Sequence, residues 1–254
     1  MSSALPCHPA EKPKRETCSI CADCCVRHLA VCAALDGDEL DALEAIMSSK
    51  QLGANEMLVE EGQEKTRVYS LTSGMLRLYT SLPDGRRQIS GFLFPGGYLG
   101  LADDEVHSQT VEAVVPSVLC SFSDREMNAL MERYPQLKER LYEMTKFALR
   151  QAHDNQMILG RLAPVEKLAS FLLLLANRPQ AETISNPVHL AMNRTDIADY
   201  LGLTIETVSR SFTKLKTQGL IRLIDANTVE ITSYRSLAAV AGLDITHLMS
   251  TANA

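Results

Sequence analysis

Two groups of residues in this 254-residue chain have the types and spacing to do chemistry. The first is CSICADCCVRHLAVC, Cys18 to Cys32, in which Cys18, Cys21 and Cys24 fall three apart, Cys25 follows directly and Cys32 lies eight beyond Cys24. Thiolates so closely spaced can gather round one metal centre, because short loops cost little entropy to close. Tetrahedral zinc and an iron–sulfur cluster held by four cysteines both suit them, and unligated thiols at a helix start are the plain alternative. A fourth ligand from elsewhere would tie the segment to the body of its domain. Cys120, in the strand-like run VVPSVLCSF, is the only cysteine outside the N-terminal region. Cys7 and His8 sit in a polar, proline-containing tail and read as incidental.

The second group lies in NRTDIADYLGLTIETVSRSFTKLKTQGL, Asn193 to Leu220. Asn193 stands three ahead of Asp196, a capping pattern, and Ile197, Ala198 and Leu201 form the buried side of a short helix. Gly202 gives the backbone freedom of a tight interhelical turn, Thr204 can cap a second helix, and Ile205, Val208, Phe212 and Leu215 share one face of it. This is a helix-turn-helix. On its outer face Glu206, Ser209 and Arg210 stand at i, i+3 and i+4, with Thr213 and Lys214 a turn further. In the major groove Arg210 suits the two acceptors of guanine, Glu206 can accept from cytosine N4, and Ser209 suits several partners. The alternative is a solvated face laced by a Glu206–Arg210 pair. With Arg194 and Thr204, these residues make up the candidate DNA-contacting set, and double-stranded DNA is the expected partner.

Composition constrains the setting. A net charge of −6 and pI of about 5.6 argue against a general DNA coat. The balance is local: residues 190–224 hold five basic residues (Arg194, Arg210, Lys214, Lys216, Arg222) against three acidic ones (Asp196, Asp199, Glu206), which fits site-specific binding. Residues 1–30 lack the apolar core of a signal peptide, and the longest apolar run, Phe171 to Ala176, is too short to span a bilayer. A cytoplasmic protein without a membrane partner is expected. There, seven cysteines point to metal or redox chemistry rather than a disulfide framework.

The elements that must position these groups follow in order. Residues 1–17 read as a flexible tail and 18–35 as the cysteine-rich segment. Asp36 to Ser48 reads as a short helix with Leu40, Leu43 and Ile46 inward. From Gln51 to Phe122 short apolar runs are broken at Gly62, Gly74, Pro83-Asp84-Gly85 and Gly96-Gly97, the texture of an antiparallel jelly-roll barrel, placed at 36–132. Ser123 to Glu126 has the form of a capping box, and Pro135 opens a longer helix, 133–160. Along it Leu137, Leu141, Met144, Ala148, Gln151, Asn155 and Ile158 alternate steps of four and three, a coiled-coil seam for a homodimer with a polar second half. The alternative is a helix lying on its own barrel. Pro164 starts a helix apolar all round, and after the helix-turn-helix GLIRLIDANTVEIT reads as a wing of two strands about Asp225-Ala226-Asn227. A winged helix-turn-helix domain therefore covers 161–245, and 246–254 is a tail.

With barrel, dimer helix and winged helix-turn-helix in that order, the chain resembles the cyclic-AMP receptor/FNR superfamily of bacterial transcription regulators, and within it the FNR type. The stretches that carry the resemblance are EKTRVYSLTSGMLRLYTSLPDGRRQISGFLFPGGYLG, DNQMI at 154–158 and DIADYLGLTIETVSR. It implies an α+β architecture: a jelly-roll β-barrel of cyclic-nucleotide-binding type, a long dimerisation helix and a C-terminal winged helix-turn-helix. It also implies that Glu206, Ser209 and Arg210 read a TTGAT-type half-site, repeated inversely for a dimer. Carried over by motif, the cysteines Cys21, Cys24, Cys32 and Cys120 would hold an oxygen-labile [4Fe-4S] cluster, although the x7 spacing before Cys32 is two residues longer than in the best-known member. The cyclic-nucleotide cassette is altered: Gly97-Tyr98-Leu99-Gly100 lacks its Glu, and His107 stands at the Arg position, so the anion has no bidentate cation and no cyclic nucleotide is expected.

The expectation is an oxygen-responsive regulator, not an enzyme, that binds DNA as a homodimer while the cluster is intact and meets RNA polymerase through the turn at Pro83-Asp84-Gly85. A regulator of the same architecture with zinc or a thiol switch is the nearer rival. An iron–sulfur enzyme or electron carrier is the further one. Its weakness is that His28, His107, His153 and His189 are scattered and no glycine-rich phosphate loop occurs.

Overall fold

The computed structural model describes residues 21, 23–177 and 187–242. Both expected tails and Cys18 lie outside the described residues. The chain divides into two compact units: residues up to Arg77 with Phe92–Lys146, and Leu78–Gly91 with everything from Phe147 on. The boundary crosses the long helix instead of falling at either end of it, and a hairpin from the sheet goes with the C-terminal unit.

In the first unit a 3₁₀ turn (Val31–Ala34) and helix α1 (Asp38–Ala45) precede strands β1 (Ser48–Leu52), β2 (Met57–Val59), β3 (Arg67–Ser81), β4 (Arg87–Leu93), β5 (Tyr98–Leu99) and β6 (Thr110–Ser123). The sheet runs β1-β6-β3-β4, with β2 also on β6 and β5 also on β3. Antiparallel β1 and β6 pair Ser49 with Cys120, which fixes the height of that thiol in the sheet. Period-two patterning closes the interior: Leu71, Leu76, Val111, Ala113 and Leu119 are buried. Strand β3 is long enough to need a bend, and Gly74 supplies it. Its φ is +94°, and Met75 N donates to Ser117 Oγ instead of to a ladder carbonyl.

Helix α2 (Asp124–Arg133) follows β6 directly, and Ser123 makes no side-chain capping bond, so the expected capping box is not formed. Helix α3 (Pro135–Arg161) is a single element. Its first half corrects the expected seam. Leu137 and Leu141 are buried within one chain, in a core with Cys21, Val31, Leu35, Leu40, Leu43, Phe122, Met127 and Leu130, and Met144 packs against that core. Side chains enclosed in this way cannot serve a partner. In the second half Ala148 is exposed, Gln151 and Ile158 are half-buried, and Asn155 Nδ2 donates to Ser90 O at 3.3 Å. The exposed apolar residues are Tyr142, Leu149 and Met157. Spaced by seven and eight, they lie about 80–160° round the helix from Leu137 and Leu141. In the first half the heptad pattern therefore records packing on the chain's own core, while Ala148, Gln151, Asn155 and Ile158 of the expected seam lie outside that core.

In the second unit α4 (Pro164–Ala176) is buried on nearly every side, as its apolarity requires. Around it lie β7 (Val188–His189), α5 (Arg194–Leu201), α6 (Ile205–Thr217), β8 (Ile221–Leu223), β9 (Thr228–Ile231) and α7 (Tyr234–Ala241). The wing is a three-stranded sheet, β7-β9-β8, one strand more than the sequence reading gives. A two-residue strand has too little periodicity to be read.

Gly74→Ala places a Cβ 2.2 Å from Ser117 Oγ and 2.7 Å from Pro116 O at a left-handed φ. The backbone conformation alone should cost about 1–3 kcal/mol, read as a lower urea midpoint with an unchanged m-value.

Candidate functional site

The helix-turn-helix is built by local bonds. Asn193 and Asp196 form a reciprocal capping box: Asp196 N donates to Asn193 Oδ1 at 2.8 Å and Asn193 N to Asp196 Oδ2 at 3.3 Å. Gly202 ends α5 in the left-handed conformation, φ 61° and ψ 44°. Thr204 then accepts from Thr207 N at 3.2 Å and opens α6. Burial of Val208, Phe212 and Leu215 fixes the rotation of α6, so Glu206, Ser209, Arg210, Thr213 and Lys214 are all exposed. The Glu206 carboxyl is held below its usual range, first by its own backbone N–H and then by the Thr204 hydroxyl. Ser209 and Thr213 donate to the carbonyls four residues back, Ile205 and Ser209, at 2.9 and 3.0 Å, which leaves their oxygens as acceptors toward solvent. A groove of about 430 Å³ runs along Ser209, Arg210, Thr213, Lys214 and Thr217. Its donors and acceptors are of the kinds that meet base edges and phosphates.

Arg194 is placed differently from the rest. Its guanidinium lies 3.5 Å from the Phe212 ring centroid, and Nη2 reaches Ala226 O in the wing turn at 3.5 Å. It braces the wing against α6.

One functional arginine was missed in the sequence. Arg87 of β4 donates to two carboxylates of α5, Asp196 at 2.8 Å and Asp199 at 2.6 Å, and the neighbouring Gln88 Nε2 donates to Tyr200 O at 3.2 Å. Asp196 is fully buried, so its charge requires that cation as well as the capping N–H. The partners lie more than a hundred residues apart, and no local pattern signals the pair.

The thiols form the second site. Among the described residues Cys21, Cys24, Cys32 and Cys120 are free, whereas Cys25 is exposed and disulfide-bonded. Cys21 lies in the core, and Cys32 and Cys120 pack against it. Burial pushes the Cys21 and Cys120 thiols up to about 12, with the neighbouring cysteines adding to the rise and Glu44 also raising Cys21. Cys32 is raised as well, mainly by burial and then by Cys24. Thiols that shift one another share one electrostatic neighbourhood, and these four are the groups able to hold a soft metal. Among the described residues no three His, Cys, Asp or Glu side chains are drawn together as they would be round a single ion.

Comparisons agree with this geometry. Residues 49–134 match the cyclic nucleotide-binding domain and residues 166–240 the Crp-like helix-turn-helix domain. The nitrogen fixation regulation protein FixK of Bradyrhizobium diazoefficiens is 42% identical over 205 residues, 80% of this chain and 86% of that one. The chain belongs to the FNR/FixK family of transcription activators. The transcriptional activator protein FnrL of Cereibacter sphaeroides is 35% identical over 229 residues, 88% of this chain and 92% of that one. The structure of FixK2 from Bradyrhizobium japonicum superposes with a TM-score of 0.72 at 31% identity, covering 77% of this chain and 97% of that one. These FNR/FixK relatives are regulators and not enzymes, and this chain is likewise a helix-turn-helix regulator of the cyclic-AMP receptor/FNR superfamily. No helix among the described residues is long and apolar enough to cross a membrane.

Arg87→Ala leaves the Asp196 carboxylate buried without its cation. The C-terminal unit should lose about 2 kcal/mol, seen as a lower melting temperature. A double-mutant cycle with Asp199→Ala should show coupling; strict additivity would mean the pair contributes nothing.

Proposed function

We propose that this FNR/FixK-family activator is oxygen-responsive, and that it binds a TTGAT-type inverted repeat as a homodimer while a [4Fe-4S] cluster is held by Cys21, Cys24, Cys32 and Cys120. The observation that carries the reading is the convergence of three free thiols, Cys21, Cys32 and Cys120, on one apolar core, with the free thiol of Cys24 in their electrostatic neighbourhood. When bound, a cluster would supply a centre labile to oxidants. The chain's own part is to exclude water around Cys21 and Cys120 and to hold the Cys24–Cys32 segment against α3.

Dimerisation is assigned to the outward face of α3, Tyr142, Leu149 and Met157, with a second copy of the chain as its occupant. Glu206, Ser209 and Arg210 read the half-site, and the exposed turn at Pro83-Asp84-Gly85 meets RNA polymerase in the cytoplasm. No cyclic nucleotide takes part. His107 is buried with Nδ1 3.0 Å from the Asp103 carboxylate, which also accepts from Ser108 N and Oγ. A cyclic phosphate would therefore meet an anion where it needs a guanidinium.

A thiol switch is the second reading, favoured by the disulfide at Cys25. Iron and sulfide content with a visible spectrum separates the two. Protein purified without oxygen should carry about four irons per chain and bleach in air, and Cys120→Ser should abolish both. A colourless, iron-free protein after anaerobic reconstitution sinks the cluster. Leu149→Glu should give a monomer by sedimentation, with operator affinity reduced at least about tenfold. Arg210→Ala should cost about 1–3 kcal/mol on the operator; an equal loss on random DNA would make Arg210 a backbone contact.

A further inference from the structure

Arg140 sits on α3 one turn beyond Leu137, half-buried, and its guanidinium reaches the backbone between Cys24 and Cys32. Nη2 donates to Leu29 O at 2.6 Å, and Nε donates to Ala30 O at the longer distance of 3.4 Å. Leu29 also lies close against Gly96, where a Cβ would stand 2.6 Å from Leu29 Cβ. The cysteine segment thus meets both a loop of the sheet domain and the long helix. Arg27, the arginine within the segment, does something different. It donates to Leu35 O at 2.6 Å and pairs with Asp36, bracing the turn on itself.

Position along α3 gives the Arg140 tie its meaning. The next residue, Leu141, is buried in the same core as Cys21, and Tyr142 opens the exposed apolar face. A displacement of Leu29 and Ala30 therefore reaches the outward face within two residues. A guanidinium suits this task because its planar fork can serve two carbonyls at once, and its charge remains at every working pH. Removing it takes the guanidinium donor from Leu29 O, while Ala30 O still accepts from Ala33 N at 3.2 Å.

We propose that Arg140 is the positioning residue through which the Cys24–Cys32 segment and helix α3 move as one, so that the arrangement of the thiols is felt at the face assigned to dimerisation. The inference rests on the proposed function for its second test and stands apart from it in the first.

The first test uses reduced, metal-free full-length protein and follows alkylation of Cys24 and Cys32 by iodoacetamide, residue by residue, with mass spectrometry. Arg140→Gln should raise both rates about tenfold, the scale of losing a charged hydrogen bond. Arg140→Lys, with one ammonium for two carbonyls, should fall between it and the parent. Unchanged rates in Arg140→Gln overturn the proposal. The second test compares monomer–dimer equilibria of iron-loaded and metal-free protein by sedimentation. Arg140→Gln should erase the difference between the two states, whereas Arg27→Gln should keep it while also loosening the turn. If both variants erase it, Arg140 only helps the segment fold, and the proposal fails. If the parent protein takes up no iron, the cluster reading falls while alkylation still decides the role of Arg140. Should Arg140→Gln not fold, Arg140→Lys carries both tests with the same signs.

Discussion

The constraint on which the N-terminal unit depends is the burial of several thiols in one apolar neighbourhood. Cys21 is part of the hydrophobic core, not a guest on its surface, and Cys32 and Cys120 pack against it. As neutral thiols they behave as small apolar side chains and fill space. As thiolates they would repel one another in a low dielectric, which is why Cys21 and Cys120 hold their protons so firmly. The segment is therefore stable protonated and packed, and deprotonating these thiols would require a cation to compensate the charge.

That same core roots α3 through Leu137 and Leu141. Helix and thiols are neighbours in one packed volume, so a change at the sulfurs is a change in what the helix rests on. Interiors at this packing density transmit displacement instead of absorbing it. The exposed stripe of Tyr142, Leu149 and Met157 lies on the far side of the same helix.

Much of this was legible in the sequence because it is local. The Asn193–Asp196 box, Gly202 and the Thr204 cap are written within a few residues of one another, and the structure forms each bond. The strand texture, the wing and the buried α4 followed from periodicity in the same way. The face of α3 did not. A heptad stripe reports only that one side of a helix is covered, and Leu137, Leu141 and Met144 are covered by their own chain. Arg87 and Arg140 were out of reach for another reason, since each meets partners more than a hundred residues away.

The placement of the Leu78–Gly91 hairpin has a consequence for how this protein can be taken apart. By chain order it is part of the sheet domain, yet Arg87 and Gln88 are bonded to α5. A chimera joined within α3, the natural place to graft one family member's sensor onto another's DNA reader, would separate Asp196 from its cation unless the hairpin travelled with the reader. The exchangeable module is thus discontinuous in sequence, and a foreign sensor would be accepted only if its own hairpin offered a guanidinium at the same place.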